Sequence, residues 1–251
     1  MKPVLYIDTC RTREYSLRVF LYLFDKYWPN QDLKILGYGD CIPDYTLPPN
    51  CEFIVMDDIQ RGGADAWCSY LNDYFSSIDD EVIIRGADDH LISDFVSVDI
   101  LDNLISIINN DPSIGILNLT HGPSTRPHTI VKDYGEYNLI EFPQRTEDGN
   151  PFTYRISGNF SMWRREYLLK FLNKGWTSWD FELRGTVLSE GDGVRVLATS
   201  KKNVVYQVEG IRRLIAPDKF NMLGIKKEDI FHLIQNNYVV QADIIGEQEW
   251  L

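Results

Sequence analysis

Val82-Ile83-Ile84, running into Gly86-Ala87-Asp88-Asp89-His90, is the stretch that decides the fold. A short apolar run bounded by turn residues reads as a strand buried on both faces. Its far end carries two adjacent carboxylates. The same pattern occurs upstream. Val4-Leu5-Tyr6-Ile7 ends at Asp8-Thr9, Leu33 to Leu36 closes at Gly37-Tyr38-Gly39-Asp40, and Phe53-Ile54-Val55-Met56 ends at Asp57-Asp58. Helical patterns separate these runs. Leu17, Phe20, Leu21, Phe24, Tyr27 and Trp28 share one face until Pro29-Asn30. Trp67, Leu71, Tyr74, Phe75 and Ile78 form a second helix opened by Gly62-Gly63, and Leu101, Leu104, Ile105 and Ile108 a third. A fifth strand spans Ile114 to Leu119. Strands alternating with helices predict an α/β fold with a mostly parallel central sheet flanked by helices. Ligands of such sheets sit off the carboxyl ends of the strands, where Asp8, Asp57-Asp58 and Asp88-Asp89 fall.

From Thr120 to Pro151 the periodicity breaks down under His121, Gly122, Pro123, Pro127, Gly135, Pro143 and Gly149. A segment of that length reads as a lid or a partly paired excursion. Phe152 to Ile156 then reads as a strand. A helix follows with Trp163, Tyr167, Leu168, Phe171 and Leu172 on one face. Strands at Val194 to Ala198 and Val204 to Val208 come next, and a last helix runs from Glu228 to Gln235. No linker breaks the chain, so residues 1–251 are expected to form one domain. Residues 1–119 would be the nucleotide-binding half, and 120–251 the acceptor half and tail.

The chain has 251 residues, 44% hydrophobic and 13% aromatic, enough for a sizeable core. This excludes disordered and disulfide-scaffold classes. The net charge of −12 argues against a protein whose main task is gripping nucleic acid or an anionic membrane. Cys10, Cys41, Cys51 and Cys68 form no C-x-x-C pair and read as reduced thiols of a cytoplasmic protein. The N-terminus has no signal-peptide pattern, and no apolar run is long enough for stable membrane insertion. Two N-x-S/T sequons, at Asn118 and Asn159, carry no meaning in a cytoplasmic chain.

Adjacent acids after a buried strand are costly unless donors or a cation compensate. Mg²⁺ or Mn²⁺, shared with a diphosphate, would do so. A solvated turn capping the next helix is the bland alternative. Ser157-Gly158-Asn159 would let backbone approach a ligand. Arg164 and Arg165 are placed either to hold phosphate or to start a solvated helix. Trp179 either stacks on a sugar or fills core. Glu182, between apolar neighbours, suits a base toward a hydroxyl, or a structural carboxylate bonded to Arg184 or Arg164.

These pieces resemble a GT-A-fold glycosyltransferase, in particular a bacterial and phage group within it. The resemblance covers residues 4 to 210 and rests on Tyr15-Ser16, Tyr27-Trp28-Pro29, Trp67, Asp88-Asp89, Ser157 to Glu166 (S-x-x-x-S-x-W-R-R-E) and Trp179-Asp180-Phe181-Glu182 (W-x-F-E). It implies a hexosyltransferase using a nucleotide-sugar donor such as a UDP-sugar, a divalent metal and a hydroxyl acceptor. By position Asp89 would bind the metal, with Asp88 touching ribose or metal. Asp180 or Glu182 would be the catalytic base, Glu182 preferred. Thr9 and Arg11 would line the nucleotide pocket, Asp57 or Asp58 would contact base or ribose, and Arg164 is expected on the donor side. Asn159, Trp163 and Trp179 are expected on the acceptor side. Ala87 stands where the group's usual D-x-D has its first acid, which points to a weakly held metal. His232 is a third ligand by residue type alone.

The acceptor implied is a glycan or lipid-linked sugar, or a hydroxymethylated base in phage DNA. DNA would need Arg164-Arg165, Lys201-Lys202, Arg212-Arg213 and Lys226-Lys227 to share a face. If phage-encoded, the protein would work in the host cytoplasm. Two other classes stay open. One is an inactive binding or scaffold module. The other is a sugar-phosphate nucleotidyltransferase, disfavoured because Asp8-Thr9-Cys10-Arg11-Thr12 lacks the glycines of a triphosphate loop. A phosphatase would want an acid where Cys10 stands.

Overall fold

The computed structural model describes residues 2–10, 14–38, 43–56, 66–120, 127–150, 152, 154–209, 220–221, 224–239 and 244–245. Strand β1 (Leu5–Cys10), helix α1 (Glu14–Tyr27), β2 (Leu33–Tyr38), β3 (Cys51–Met56), α2 (Trp67–Ser77) and β4 (Val82–Ala87) follow in sequence order. After them come β5 (His90–Ile92), α3 (Val98–Asn110), β6 (Ile114–Asn118), β7 (Thr129–Asp133) and β8 (Asn138–Glu141). The remainder is β9 (Ser161–Arg164), α4 (Arg165–Leu169), α5 (Ser178–Leu188), β10 (Arg195–Ser200), β11 (Gln207–Glu209), β12 (Phe220–Asn221), α6 (Lys227–Gln235) and β13 (Ile244–Ile245).

A nine-stranded sheet of order β3-β2-β1-β4-β9-β6-β10-β8-β7 forms the centre. Only β9 and β8 run against the others. The architecture is α/β, with a large, mostly parallel sheet covered by helices on both faces. Both halves of the sequence contribute to it. Strand alternation sorts the core into two layers. Leu5 and Ile7 of β1 join α1 and α3, through Leu17, Phe20, Phe24, Leu101 and Leu104. Tyr6 faces the other way, with Cys68, Leu71 and Phe75 of α2, Tyr167 and Leu168 of α4, and Phe181 of α5. Burial on both sides explains why β1 and β4 read as unbroken apolar runs. Helix α1 ends as its sequence predicts, with Pro29 past its last turn and Asn30 in the left-handed region at φ 64°.

The second half departs from the expected pattern. No strand forms at 154–156. Tyr154 takes φ 53°, and the buried Arg155 donates to the carbonyls of Ser189 and Val194. The strand lies seven residues later. Trp163 belongs to β9, not to a helix, because Ser161, Met162 and Trp163 fill the slot between β4 and β6 and pair with both. The four-residue step from Trp163 to Tyr167 imitated a helix, and their rings do meet, 6.4 Å apart. The described part of the 120–151 segment is a β7–β8 hairpin at the sheet's far edge. The short pairing of β5 with β11 was not foreseen. Burial raises the thiols of Cys51 and Cys68 to about 12, which removes both as nucleophiles.

A buried carboxylate ties α6 to α1. Asp229 accepts hydrogen bonds from Tyr22, Lys26 and Tyr27 and is fully shielded. Burial pushes its pKa upward, but the three donors outweigh this and hold it below 3.8. Its folded pKa is depressed, so its contribution is complete above the unfolded value and fades as pH falls through the folded one. Asp229→Asn is expected to cost about 1–3 kcal/mol near neutrality. In denaturation at several pH values, the gap from wild type should stay constant down to about pH 4 and narrow below it. A second test concerns β4. A Cβ on Gly86 would meet Phe160 at 2.5 Å and Ile7 at 3.0 Å. Gly86→Ala should destabilise by about 1–3 kcal/mol, and adding Phe160→Leu should recover part of the loss in the same melts.

Candidate functional site

The carboxyl ends of β1 and β4 lie side by side, Asp8 opposite Ala87. Antiparallel β9 starts at the same edge, with Ser161 opposite both Arg85 and Asn118. The loop 157–160 that feeds β9 therefore sits beside the acidic turn. Phe160 packs on Gly86, and its ring centre is 6.4 Å from that of His90. Gln207 of β11 holds the loop from outside. Its amide donates to Asn159 Oδ1 at 2.8 Å and accepts from Phe160 N–H at 3.4 Å.

The two acids of the turn have separate fates. Asp88 is fully buried, and its Oδ2 accepts from Thr9 Oγ1 at 2.7 Å and Ser16 Oγ at 3.2 Å. It ties β4 to β1 and α1. Thr9, 2% exposed, serves the same knot, so neither faces a ligand groove. Asp89 is half-buried and is the acid of the pair that reaches the surface. His90 follows it, half-buried, its Nδ1 shielded from solvent and without a hydrogen-bond partner among the described residues. Arg11, Asp57 and Asp58 lie outside the described residues.

On the opposite face of the same strands is a second polar knot. The Arg85 guanidinium donates to Asp8 Oδ1 at 2.8 Å, and the Trp67 indole N–H donates to Asp8 Oδ2 at 2.9 Å. Arg85 lies over the rings of Trp67 and Phe181, 4.8 and 5.6 Å from their centres. Trp67 and Phe181 meet edge to face at 5.6 Å. Sequence reasoning missed this unit, although a charged residue inside the run Val82-Ile83-Ile84-Arg85-Gly86-Ala87 had to find a buried partner. The knot fixes α5 against β1 and β4, and with it Glu182.

Glu182 Oε1 accepts from the Gly158 N–H at 2.7 Å. The second oxygen has no hydrogen bond among the described residues. A Cβ on Gly158 would stand 3.4 Å from that carboxylate. The open backbone anticipated there for a ligand thus admits Glu182. Neither Arg184 nor Arg164 binds Glu182. Arg184 pairs with Asp180 at 2.9 Å. Asp180 and Thr177 form a reciprocal capping box at the start of α5. Hydrogen bonds from the Thr177 backbone and side chain, helped by Arg184, hold the Asp180 carboxyl below its ordinary value. A carboxylate so engaged is a helix cap, whereas Glu182 caps nothing on its own helix.

Two further expectations are corrected. Arg164 lies opposite Val82, the first residue of β4. It donates to the carbonyls of Ile108, Asp111 and Ile114. That is the amino edge of the sheet, ~16 Å from the acidic turn along β4, so Arg164 ties α3 to β6 and is not a donor-site cation. Trp163 is fully buried in the core beneath α4 and α5 and offers no surface to an acceptor. Asn159 stays at the loop, and Trp179 is 54% exposed on α5. His232 stacks on Tyr22 at 4.3 Å, on the α1–α6 contact.

Among the described residues the basic pairs are engaged on separate elements. Arg165 donates to the Ile78 carbonyl, Lys201 pairs with Asp133, Lys202 with Glu136, and Lys226 with Asp94. Arg212 and Arg213 lie outside the described residues. A cleft of about 440 Å³ lined by His128, Glu141, Arg145, Arg155 and Arg195 opens near the start of β10. That position is on the sheet's amino edge, away from Asp89 and Glu182. No helix among the described residues is long and apolar enough to cross a membrane.

No protein-family model matches the chain, and no curated protein does. Solved structures are similar in outline. A crystal structure of S. aureus TarS 1–349 is 16% identical, with 82% of this chain and 60% of that one covered and a TM-score of 0.48. A structure of S. aureus TarS is 14% identical over 94% of this chain and 39% of that one, TM-score 0.47. The bifunctional IspDF of Campylobacter jejuni is 14% identical over 83% and 52%, TM-score 0.41. The chain thus spans well under two thirds of the length of each of these.

The capping assignment has a direct test. Asp180→Asn should lower Tm by ~2–5 °C, and Thr177→Ala should do the same. The double variant should be less than additive in thermal melts, because both changes break one box.

Proposed function

We propose that this chain is a glycosyltransferase, moving a sugar from a nucleotide-diphosphate donor to a hydroxyl acceptor at the carboxyl edge of β1 and β4. One observation carries the reading. The Glu182 carboxylate is held by one oxygen on the Gly158 N–H, on a helix anchored to the strands that present Asp89. A base toward a hydroxyl needs a fixed carboxylate with an oxygen to spare. The Gly158 bond fixes the rotamer, and Oε2 is left to accept the acceptor's proton as its oxygen attacks the sugar. Trp179 and Asn159 flank the approach.

The donor side is assigned to Asp89. Among the described residues no group of three or more acids, histidines or cysteines could cage a metal ion. One outward acid suits an ion that keeps most of its waters and shares a diphosphate. Mg²⁺ or Mn²⁺ held there would offset charge on the departing diphosphate. The residues do not fit a tightly held resident ion, and Asp88, turned inward, does not join them.

A binding module without turnover is favoured by one observation, the complete burial of Asp88. Kinetics separate the two readings. Glu182→Gln should lower turnover of a UDP-sugar panel by ~10²–10⁴-fold with donor affinity retained. Asp89→Asn should weaken metal-dependent donor binding, and both variants should melt within a few degrees of wild type. Failure of the wild-type protein to turn over or be thermally stabilised by any nucleotide sugar with Mn²⁺ would falsify the transferase reading.

A further inference from the structure

Helix α5 carries an apolar stripe on its outer side. Trp179, Leu183 and Val187 are 54%, 51% and 56% exposed, four residues apart, so they form one row along the helix. The inward side is complete without them, filled by Phe181, Gly185 and Thr186. A surface helix normally turns polar residues outward. At about 100° per residue, Glu182 lies ~60° around the helix from Trp179, on one border of the row. Arg184 lies on the other border, its guanidinium 5.6 Å from the centre of the Trp176 ring. Lys174 is exposed just before the helix. The acids of the helix are turned to other work, Asp180 to the cap and Glu182 to Gly158.

Size decides what covers the row. A helix of eleven residues is ~16 Å long, and one row of side chains on it offers a few hundred Å² at most. A stable dimer buries ~800 Å² on each partner. Shallow seating in a lipid–water interface asks only for a short apolar ridge with an aromatic residue and flanking cations. Tryptophan at one end, branched aliphatics behind it and the exposed Lys174 beside them supply this, with Arg184 held to Asp180 at the other border. From these features we infer that α5 seats the protein on a phospholipid surface. Resting on the glycosyltransferase reading, this makes the acceptor a hydroxyl carried on a lipid, presented along the row to Glu182. The basic pairs of the described residues are spread over separate elements and give no comparable face to a nucleic acid.

The test separates seating from chemistry, because it is read without donor or metal. The full chain is mixed with vesicles of phosphatidylcholine and with vesicles containing phosphatidylglycerol. Binding is measured by sedimentation, and Trp179 burial by quenching with brominated lipid. The expected result is binding with quenching, stronger on the anionic vesicles. Trp179→Phe should remove most of the quenching while binding persists, and Leu183→Glu with Val187→Glu should reduce partition ~tenfold or more. Both positions are solvent-exposed, so the double variant should keep the wild-type melting temperature. No binding to either vesicle, or binding unchanged in the double variant, overturns the inference. It is equally overturned if the variants instead abolish a self-association seen by analytical ultracentrifugation. Vesicle binding with no sugar transfer would retain the surface and discard the reading of Glu182.

Discussion

Strand β9 is hydrogen-bonded along both edges, to β4 on one side and β6 on the other, and runs against both. That single insertion joins β3-β2-β1-β4 to β6-β10-β8-β7 in one sheet. Without it β4 and β6 would have no shared partner, and these two groups of strands would have no register against each other. Because β9 is antiparallel, its entry loop is delivered to the carboxyl edge of its neighbours. This puts Ser157 to Phe160 next to Asp88-Asp89 and gives Glu182 its backbone donor. Its exit lies at the amino edge, which carries Arg164 and Arg165 away from the site and into carbonyls of α3, β6 and Ile78.

Around that edge the molecule uses its buried charges in pairs on opposite faces of the same two strands. On the α1 side Asp88 is satisfied by hydroxyls of Thr9 and Ser16. On the α2 side Asp8 is satisfied by Arg85 and Trp67. Each knot binds one helix layer to β1 and β4, so the strand ends are fixed from both sides. A rigid edge is what the role proposed for Glu182 needs, since small errors of placement are costly in catalysis. The cost is that of the three acids at these two strand ends, Asp8, Asp88 and Asp89, Asp89 alone reaches the surface.

The strand–helix alternation of residues 4 to 119 was legible because β1 and β4 are buried on both faces, and β2 and the partly exposed edge strand β3 also read as short apolar runs. Amphipathic α1 and α3 repeat at helical spacing. The second half was less legible. Trp163 lies four residues before Tyr167, and periodicity alone cannot tell a buried strand leading into a helix from one longer helix. Tyr154 to Ile156 alternate like a strand, but a left-handed residue at Tyr154 breaks the run. Of the candidate site, Glu182, Asp89, Asn159 and Trp179 keep part of their surface exposed. Thr9, Asp88, Asp180, Arg164 and Trp163 have structural work.

The sequence by itself determined the α/β class, the acids at the strand ends and the W-x-F-E motif, since these follow from local pattern and residue chemistry. Tertiary structure decided which acid of Asp88-Asp89 turns inward, which carboxylate of Asp180 and Glu182 is spent on a cap, and which side of α5 is left bare. Those outcomes depend on hydrogen-bond donors far away in the chain, such as Thr9 for Asp88 and Gly158 for Glu182. A residue type names what a side chain can do. Only the partner brought to it by the fold determines whether it is already doing it.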